Sequence, residues 1–505
     1  MFDRHIHESA AIIVSAIVSE WQLHWSPVHF FLDGLRGPLA RGEVYVDRGA
    51  DGADGAGLVG GLLGLERAFF SAGRVQGNAI DSRPLPARAA DMAACDVIVD
   101  FRSSQAPTGL CVHARFGVWT LSCRDHAQIF AALARGASAL ECRLYSQTGD
   151  GPRRSIAIAT VQGKHALSPT LTFAAEKSVQ LALRELKRLT LLQALPPGVT
   201  DATEQTRPHL ADFARYGTGI VRLGLVRAAE RLRPSRGHGS PFGLRTGKGS
   251  LTDIDPAAGT DVQRPDETFC ADPFLLERDG AVYCFYEEFH YASGLGKIAV
   301  ALLTDAGAER LGDALIADHH LSFPFVFAHE GEIFMMPETI QARRIEIWRC
   351  TDFPLGWVLH TTAFEGQQLA DPVLFHRGEE WWLFANTSHD SFGDFSSELH
   401  LYRVDGPELK QIAPHPLNPV VVGSDVARGG GRVFEQEGRI YRYSQDNSGN
   451  IYGHGLNLME ITELSETDYA ERRVAHFTPD GIRGAVGCHH ADAAAGRFVV
   501  DVRLG

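Results

Sequence analysis

The sequence predicts an α/β N-terminal domain followed by an all-β five-bladed propeller. Three observations carry that expectation. A hairpin pattern recurs five times between residues 271 and 501. Each of its first four copies is followed by another alternating strand, at a spacing of roughly fifty residues. Residues 1 to about 195 read differently, as continuous apolar strands and one long helical segment.

The hairpins come first because a repeat decides the architecture. ADPFLLERDGAVYCFYEE (271–288) has Asp272, a turn at Asp279-Gly280 and Glu287 fifteen positions after Asp272. SFPFVFAHEGEIFMMPE (322–338) has Phe323 in the aspartate's place, a turn at Glu330-Gly331, then Glu338. ADPVLFHRGEEWWLFAN (370–386) runs from Asp371 through Arg377-Gly378 to Asn386. GGRVFEQEGRIYRYSQD turns at Glu437-Gly438 and reaches Gln445, and CHHADAAAGRFVVD (488–501) turns at Ala495-Gly496. An acidic or small residue followed by Gly, between two alternating apolar runs, is a strong hairpin signal. The strands that follow are KIAVALLTD, RIEIWRCTD, ELHLYRVDG and GLNLMEITEL, with weaker extended segments such as GWVLHTTAF after some of them. The fifth copy has two strands only. A bare sheet edge needs a partner, and residues 240–262 are expected to pair with it and close the ring.

In the N-terminal part, AAIIVSAIV is expected as a first strand. CDVIVDF, FGVWTLS and SIAIATV read as further strands of a parallel sheet, and TFAAEKSVQLALRELKRLTLL (172–192) as a helix. The expected divisions are an α/β domain over 1–195, a helical connector over 196–240 and the propeller over 241–505. The connector includes the arginine-rich VRLGLVRAAERLRPSR. It reads as a solvated interdomain helix, with contact to an anionic membrane surface as the lesser alternative. GAGLVG (55–60) satisfies the dinucleotide pattern GxGxxG, but a long acidic, glycine-rich loop separates it from the strand EVYVD, where a tight turn is needed.

Composition limits the function. The 505 residues allow two or three domains, and 44% hydrophobic with 22% charged residues is ordinary for a globular chain. A net charge of −14 argues against nucleic acid as a partner. None of the eight cysteines forms a CxxC pair, so no zinc cluster is expected, and reduced thiols fit a cytoplasmic setting. No run is long enough to span a bilayer.

In a propeller, the start of each innermost strand and the end of the next antiparallel strand meet at one rim of a central funnel. That rim is expected to gather Asp272, Glu287, Glu288, Glu338, Asp371, Asn386, Arg428, Gln445, His489 and His490. Glycosyl chemistry needs one carboxyl to exchange a proton with oxygen and another as base or nucleophile, while a third raises the acid by like-charge repulsion. Asp272 is the expected base, Glu338 the acid and Asp371 the tuning partner, with Glu287 or Glu288 as alternatives to Glu338. Trp381 and Trp382 are candidates for a stacking surface. Each residue also has a structural reading, since Asp-Pro at a strand start caps a turn.

Two resemblances follow from these residues. Residues 240–505 resemble the five-bladed propellers of arabinanase, levansucrase and invertase type. They resemble most closely the module at the N-terminus of plant glucosamine inositolphosphorylceramide transferases. ADPF, FPFVF…PET, ADPVLF, GGRVF…YRYSQD and GCHHAD carry the likeness. The hydrolases of this fold use Asp, Asp and Glu in chain order, whereas the candidates here run Asp272, Glu338, Asp371. Residues 95–192 resemble a formyltransferase of the methionyl-tRNA formyltransferase type, through DVIVDF, ARFGVWTLSCRDH and the closing helix. That likeness implies formyl-tetrahydrofolate as a cofactor. It places Thr120 and Ser122 at the family's Asn and His positions and Asp150 at its Asp, so this remnant lacks the imidazole.

Taken together, these readings imply a carbohydrate-active protein of glycan or glycolipid biosynthesis, with a sugar or glycoconjugate bound in an acidic funnel and transferred or hydrolysed there. The alternatives are an N-formyltransferase acting on an amino sugar and a non-catalytic glycan-binding scaffold.

Overall fold

The structure is a computed structural model. It describes residues 11–19, 22, 24–36, 39–47, 57–69, 80–86, 91–102, 109–112, 114–195, 198–200, 207–232, 242–305, 307–449 and 451–505. The chain forms two compact units, Met1–Leu232 with His389–Gly393, and Arg233–Ser388 with Asp394–Gly505.

The first unit is built on an eight-stranded sheet among the described residues. Five strands are parallel: Arg83–Pro84, Leu39–Asp47, Ile12–Ser19, Val97–Asp100 and Val118–Leu121. Val97–Asp100 and Val118–Leu121 are buried throughout, as strands covered on both faces must be. Ala139–Gln147, Arg154–Gln162 and Val199–Thr200 continue the sheet antiparallel. SIAIATV therefore departs from the expected parallel strand. It lies in Arg154–Gln162, whose buried and more exposed residues alternate, because one face of this antiparallel edge is not covered.

The helix Leu167–Leu192 is almost wholly buried over its first five turns. Its N-terminal amides find partners from other segments. Glu66 accepts from the Ser168 N–H at 2.7 Å, and the Tyr216 hydroxyl accepts from the Leu167 N–H at 2.6 Å. The helix Leu210–Leu232, expected as a connector, packs on this unit. Phe130 meets Phe213 at 4.5 Å and Tyr216 at 5.2 Å, and Arg135 pairs with Asp212 at 2.9 Å. Within GAGLVG, residues 55 and 56 lie outside the described residues, and Gly57 opens a helix that runs to Phe69. No described helix is long and apolar enough to cross a membrane.

The second unit is a five-bladed propeller. The first blade pairs Thr268–Arg278, Ala281–His290, Leu295–Thr304 and Gly307–Leu315 in order. The second pairs Ser322–His329, Glu332–Glu338, Ile345–Asp352 and Gly356–Ala363. The third and fourth begin at Ala370–Arg377 and Gly429–Gln436. The fifth joins Ala491–Ala494 and Arg497–Leu504 to Phe242–Lys248 and Thr260–Asp261, with Val500 opposite Arg245.

Four hairpins turn on pairs with both φ angles positive, including Asp279-Gly280 (53°, 78°) and Glu330-Gly331 (49°, 81°). This is the mirror-image turn whose twist suits antiparallel strands. The third hairpin differs from expectation by one residue. Arg377 pairs with Glu380, so its loop is Gly378-Glu379, with φ positive only at Gly378.

In the first four blades the innermost strand begins with a break in pairing register. In the first three blades the break holds a left-handed residue just before proline: Asp272 (φ 51°), Phe323 (47°) and Asp371 (47°). Such a conformation costs about 1–3 kcal/mol per residue and persists only where the surroundings impose it. The repeat thus sets its strained positions at the rim of the funnel.

Candidate functional site: an acidic propeller funnel

The first and second strands of the blades gather five carboxyl groups, two of them on one guanidinium. Arg428 forks onto Asp371, with Nε 2.7 Å from Oδ2 and Nη2 3.3 Å from Oδ1. The same Nη2 lies 3.4 Å from Glu338 Oε2. Asp272 lies on the opposite flank, with Oδ1 3.6 Å from both His489 Nε2 and His490 Nδ1. Glu287 Oε1 lies 3.3 Å from His320 Nε2. The side chains of Arg428, Asp272, Glu338 and Glu287 keep 13%, 11%, 8% and 6% of their surface open, so these four face the funnel. The remaining carboxyl, Asp501, is fully buried.

The environments drive these acids apart. Burial works to raise Asp272, but the His490 imidazole 3.6 Å away and the charges of His489 and Arg428 outweigh it and hold the group below the usual carboxylate range. Glu287 is pushed well upward, first by burial and then by Asp272, Glu338 and Asp501. Asp371 is pushed up to about 8, by burial against the opposing Arg428 and with the help of Glu338 and Asp272. Desolvation lowers His489, but Asp501, Asp272 and Asp371 prevail, and its net shift is upward.

A belt of hydrogen bonds holds the blades together at this level. Glu338 Oε2 accepts from the Asp371 N–H at 3.1 Å, Asn386 Oδ1 from the Gly429 N–H at 2.9 Å, and Asp501 Oδ2 from the Asp272 N–H at 3.0 Å. In each case a side chain of one blade takes the otherwise orphaned amide where the next blade begins. The belt explains how the left-handed backbone at Asp272 and Asp371 is imposed.

The expected site residues divide accordingly. Asp272, Glu287, Glu338, Asp371, Arg428, His489 and His490 come together. Asn386 is spent on structure, because its Nδ2 also donates to the carbonyls of Glu398 (2.7 Å) and Ala427 (3.0 Å). Gln445 is similar. Its Nε2 donates to the Gly429 carbonyl at 2.7 Å and its Oε1 accepts from Asn447 Nδ2 at 3.2 Å, although the same Nε2 also reaches Asp371 Oδ2 at 3.4 Å. Glu288 leaves the rim, since strand alternation turns it to the opposite face from Glu287. There Arg310 (2.8 Å), His290 (3.1 Å) and Lys297 (3.3 Å) surround it. Trp381 and Trp382 sit at the hairpin end of their strand, about 14–17 Å from Asn386 by strand rise. Trp382 is buried and Trp381 stacks on His376 at 4.3 Å, so neither offers a sugar-stacking face in the funnel.

Sequence reasoning passed over three neighbours. Asp501 closes the quoted fifth hairpin and was visible there as its last residue. Tyr452 lies in a loop with no pattern to mark it. It meets His489 edge-on at 5.2 Å, and Arg428 sits 5.5 Å from its ring centre. His320 reaches Glu287 from the loop before the second blade, with Nδ1 accepting from the Gly296 N–H at 2.9 Å.

Asp272, His489 and Asp501 each offer one ligand atom, all within 4.8 Å of one another. Three backbone hydrogen bonds already converge on Asp501. Asp501 accepts from the N–H groups of His489, His490 and Asp272, and its Oδ2 lies 2.7 Å from His489 Nδ1. Both ring nitrogens of His490 lack a hydrogen-bond partner, and its ring is packed against Phe274 and Phe323.

In the first unit, Thr120 is buried on a strand with its hydroxyl unpaired. Ser122 Oγ accepts from the Arg143 N–H at 2.8 Å and lines a cavity of about 190 Å³ with Cys123, Gln128 and Cys142. Asp150 is exposed in the hairpin turn after Gln147. Asp125 caps the helix His126–Ala134 by accepting from the Gln128 N–H.

Comparison with known proteins bears on the second unit. Residues 254–489 match the family model described as glucosamine inositolphosphorylceramide transferase 1, N-terminal. The transferase of that name from Oryza sativa subsp. japonica is 36% identical over 234 residues, which cover 45% of this chain and 31% of that protein. The one from Arabidopsis thaliana is 35% identical over 244 residues, 46% of this chain and 31% of that protein. The chain spans about a third of the length of the curated relatives it matches.

Among solved structures, Zg3597, a family 117 glycoside hydrolase of Zobellia galactanivorans, aligns over 52% of this chain and 90% of its own, at 10% identity and a TM-score of 0.34. A GH43_1 enzyme from Xanthomonas citri aligns over 48% and 90%, at 14% identity and a TM-score of 0.35. The C-terminal half of the chain, folded as a five-bladed propeller, is similar in sequence to the N-terminal module of glucosamine inositolphosphorylceramide transferases.

Proposed function

We propose that the propeller funnel binds a sugar residue of a glycan or glycolipid and promotes glycosyl transfer or hydrolysis there. The observation that carries this reading is the divergence of the acids within one funnel: Asp272 is held low while Glu287 and Asp371 are pushed up. Titratable groups driven apart in this way are what acid–base chemistry at an acetal needs. Asp272 would accept the proton of the incoming hydroxyl or water. Its O–H bond breaks as the glycosyl bond to that oxygen forms. Glu287, with no cation in direct contact, is the better-supported proton donor to the leaving oxygen. Glu338 is tied to the Asp371 amide and to Arg428, and it keeps the acid role only as the alternative. Asp371 and Arg428 set the local charge. The similarity to glucosamine inositolphosphorylceramide transferases supports a glycoconjugate substrate. Eight free thiols support a reducing, cytoplasm-like compartment.

A second reading has its own support. Asn386, Gln445 and one oxygen of Glu338 serve the blade belt, which is what a glycan-binding scaffold without turnover would also need. Formyl transfer has the least support, since Thr120 and Ser122 offer no imidazole to carry a proton.

The test is a mass-spectrometric turnover screen of the full chain over glycosides, nucleotide sugars and amino sugars, with and without formyl-tetrahydrofolate, and with Asp272→Asn as control. Turnover abolished by Asp272→Asn is the expected result. Ligand-induced stabilisation without turnover would favour the scaffold. A formyl gain that survives the substitution would overturn the reading.

A further inference from the structure

We infer that Asp501 and His489 form a positioning pair that fixes the backbone of Asp272 and keeps a cationic N–H facing its carboxylate. The inference rests on the proposed role of Asp272 as base and adds two residues that act through it.

Asp501 is the anchor. It is fully buried. Its Oδ1 accepts from the N–H groups of His489 at 3.0 Å and His490 at 2.9 Å. Its Oδ2 accepts from the Asp272 N–H at 3.0 Å and lies 2.7 Å from His489 Nδ1. Three backbone N–H donors converge on one carboxyl, and the 2.7 Å approach of Nδ1 to Oδ2 is too close for two facing lone pairs. His489 Nδ1 therefore carries a hydrogen toward Asp501.

The ring cannot turn away from this arrangement. Phe242 stacks on it at 4.4 Å and 25°, and Tyr452 meets it edge-on at 5.2 Å. With Nδ1 held by Asp501, Nε2 is fixed 3.6 Å from Asp272 Oδ1. A neutral ring with its hydrogen on Nδ1 would aim a lone pair at that carboxylate. The imidazolium aims an N–H at it instead. The charged groups facing the ring are Asp501 and Asp272 in contact, with Asp371 further off. Arg428 lies across Tyr452, and His490 shares Asp272. The two nearest are both anionic, which favours the imidazolium against the cost of burial.

The same Asp501 oxygen that faces the imidazole also holds the amide of Asp272, the residue with φ 51°. One carboxylate thus fixes both the strained backbone of the proposed base and the cation beside it. His489 and Asp501 are positioning residues, because neither reaches the open part of the funnel.

The test is side-chain nitrogen NMR on the full chain labelled with ¹⁵N-histidine, with His489 assigned by loss of its signals in His489→Gln. At pH 7.5 both ring nitrogens of His489 are expected to be protonated. In Asp501→Asn its titration midpoint should fall by one pH unit or more. A neutral His489 in the wild-type chain at pH 7.5 would overturn the inference. Asp501→Asn removes blade-closing bonds, so His489→Gln, which leaves the backbone bonds to Asp501 in place, is the second arm. It should lower kcat at least tenfold with KM within twofold, and move the acid limb of the rate profile upward by about one pH unit. An unmoved acid limb would also overturn it. If no sugar is turned over at all, the proposed function fails while the NMR result still decides the positioning pair.

Discussion

Replacing Asp371 by Asn should make the propeller progressively more stable than the parent as pH rises. Asp371 is buried, and its native form holds its proton to about pH 8, whereas the unfolded chain releases it near 3.8. Between those values the native state binds more protons than the unfolded state, so stability falls as pH rises. The full span is worth about 5.7 kcal/mol, from about 1.36 kcal/mol per unit. From pH 5.5 to 7.5 the loss is about 2.5 kcal/mol. Asn has the same shape but does not titrate, so it escapes this loss. It also weakens the fork with Arg428, which lowers stability by an amount that does not vary with pH. The slope of the difference therefore isolates the titration. The assay is urea unfolding of the parent and Asp371→Asn at four pH values from 5.5 to 8.5, followed by tryptophan fluorescence, comparing unfolding free energies. An advantage of Asn that grows by about 2–3 kcal/mol between pH 5.5 and 7.5 is expected. A flat difference would show that the guanidinium at 2.7 Å keeps Asp371 ionised, and would refute the reasoning.

Three further outcomes test the belt and its neighbours. Glu338→Gln keeps an acceptor for the Asp371 amide and should cost under about 1 kcal/mol, whereas Glu338→Ala strands that buried N–H and should cost about 1–3 kcal/mol more, read by denaturant midpoints. Asn386→Ala leaves three buried backbone groups unpaired and should cost at least about 3 kcal/mol, while sugar binding to the folded fraction, read by calorimetry, stays unchanged. Gly296→Ala would set a methyl 2.5 Å from the Leu321 carbonyl oxygen and 2.8 Å from both Glu287 Oε1 and His320 Cε1. It should cost about 1–3 kcal/mol in thermal unfolding and weaken any turnover that depends on Glu287.

Much of the second unit was legible because its signals are local. A turn pair such as Asp279-Gly280 needs only two positive φ angles, and alternation needs only a period of two. Repeated at even spacing, these specify blades. The carboxyls of Asp272, Glu338 and Asp371 could be placed at one rim for the same reason. Glu288 was misplaced although it adjoins Glu287, because deciding which neighbour faces the funnel needs the register at the strand end, and that register shifts between Ala271 and Phe274. In the first unit, SIAIATV read as a parallel strand because its apolar content does not tell direction, which depends on what pairs beside it.

By itself, then, the sequence determined the blades, the strained Asp-Pro and Phe-Pro starts, and the concentration of acids along one rim, since each is encoded within a few residues of itself. Only the tertiary structure decided which acids stay free. Asn386 and Gln445 are taken by backbone, Glu338 is shared between a staple and Arg428, and Asp501 is spent on Asp272 and His489. Hydrogen-bond partners and burial come from segments as distant as Asp272 and Asp501, and the balance between desolvation and charge that sets each proton exists only where those segments meet.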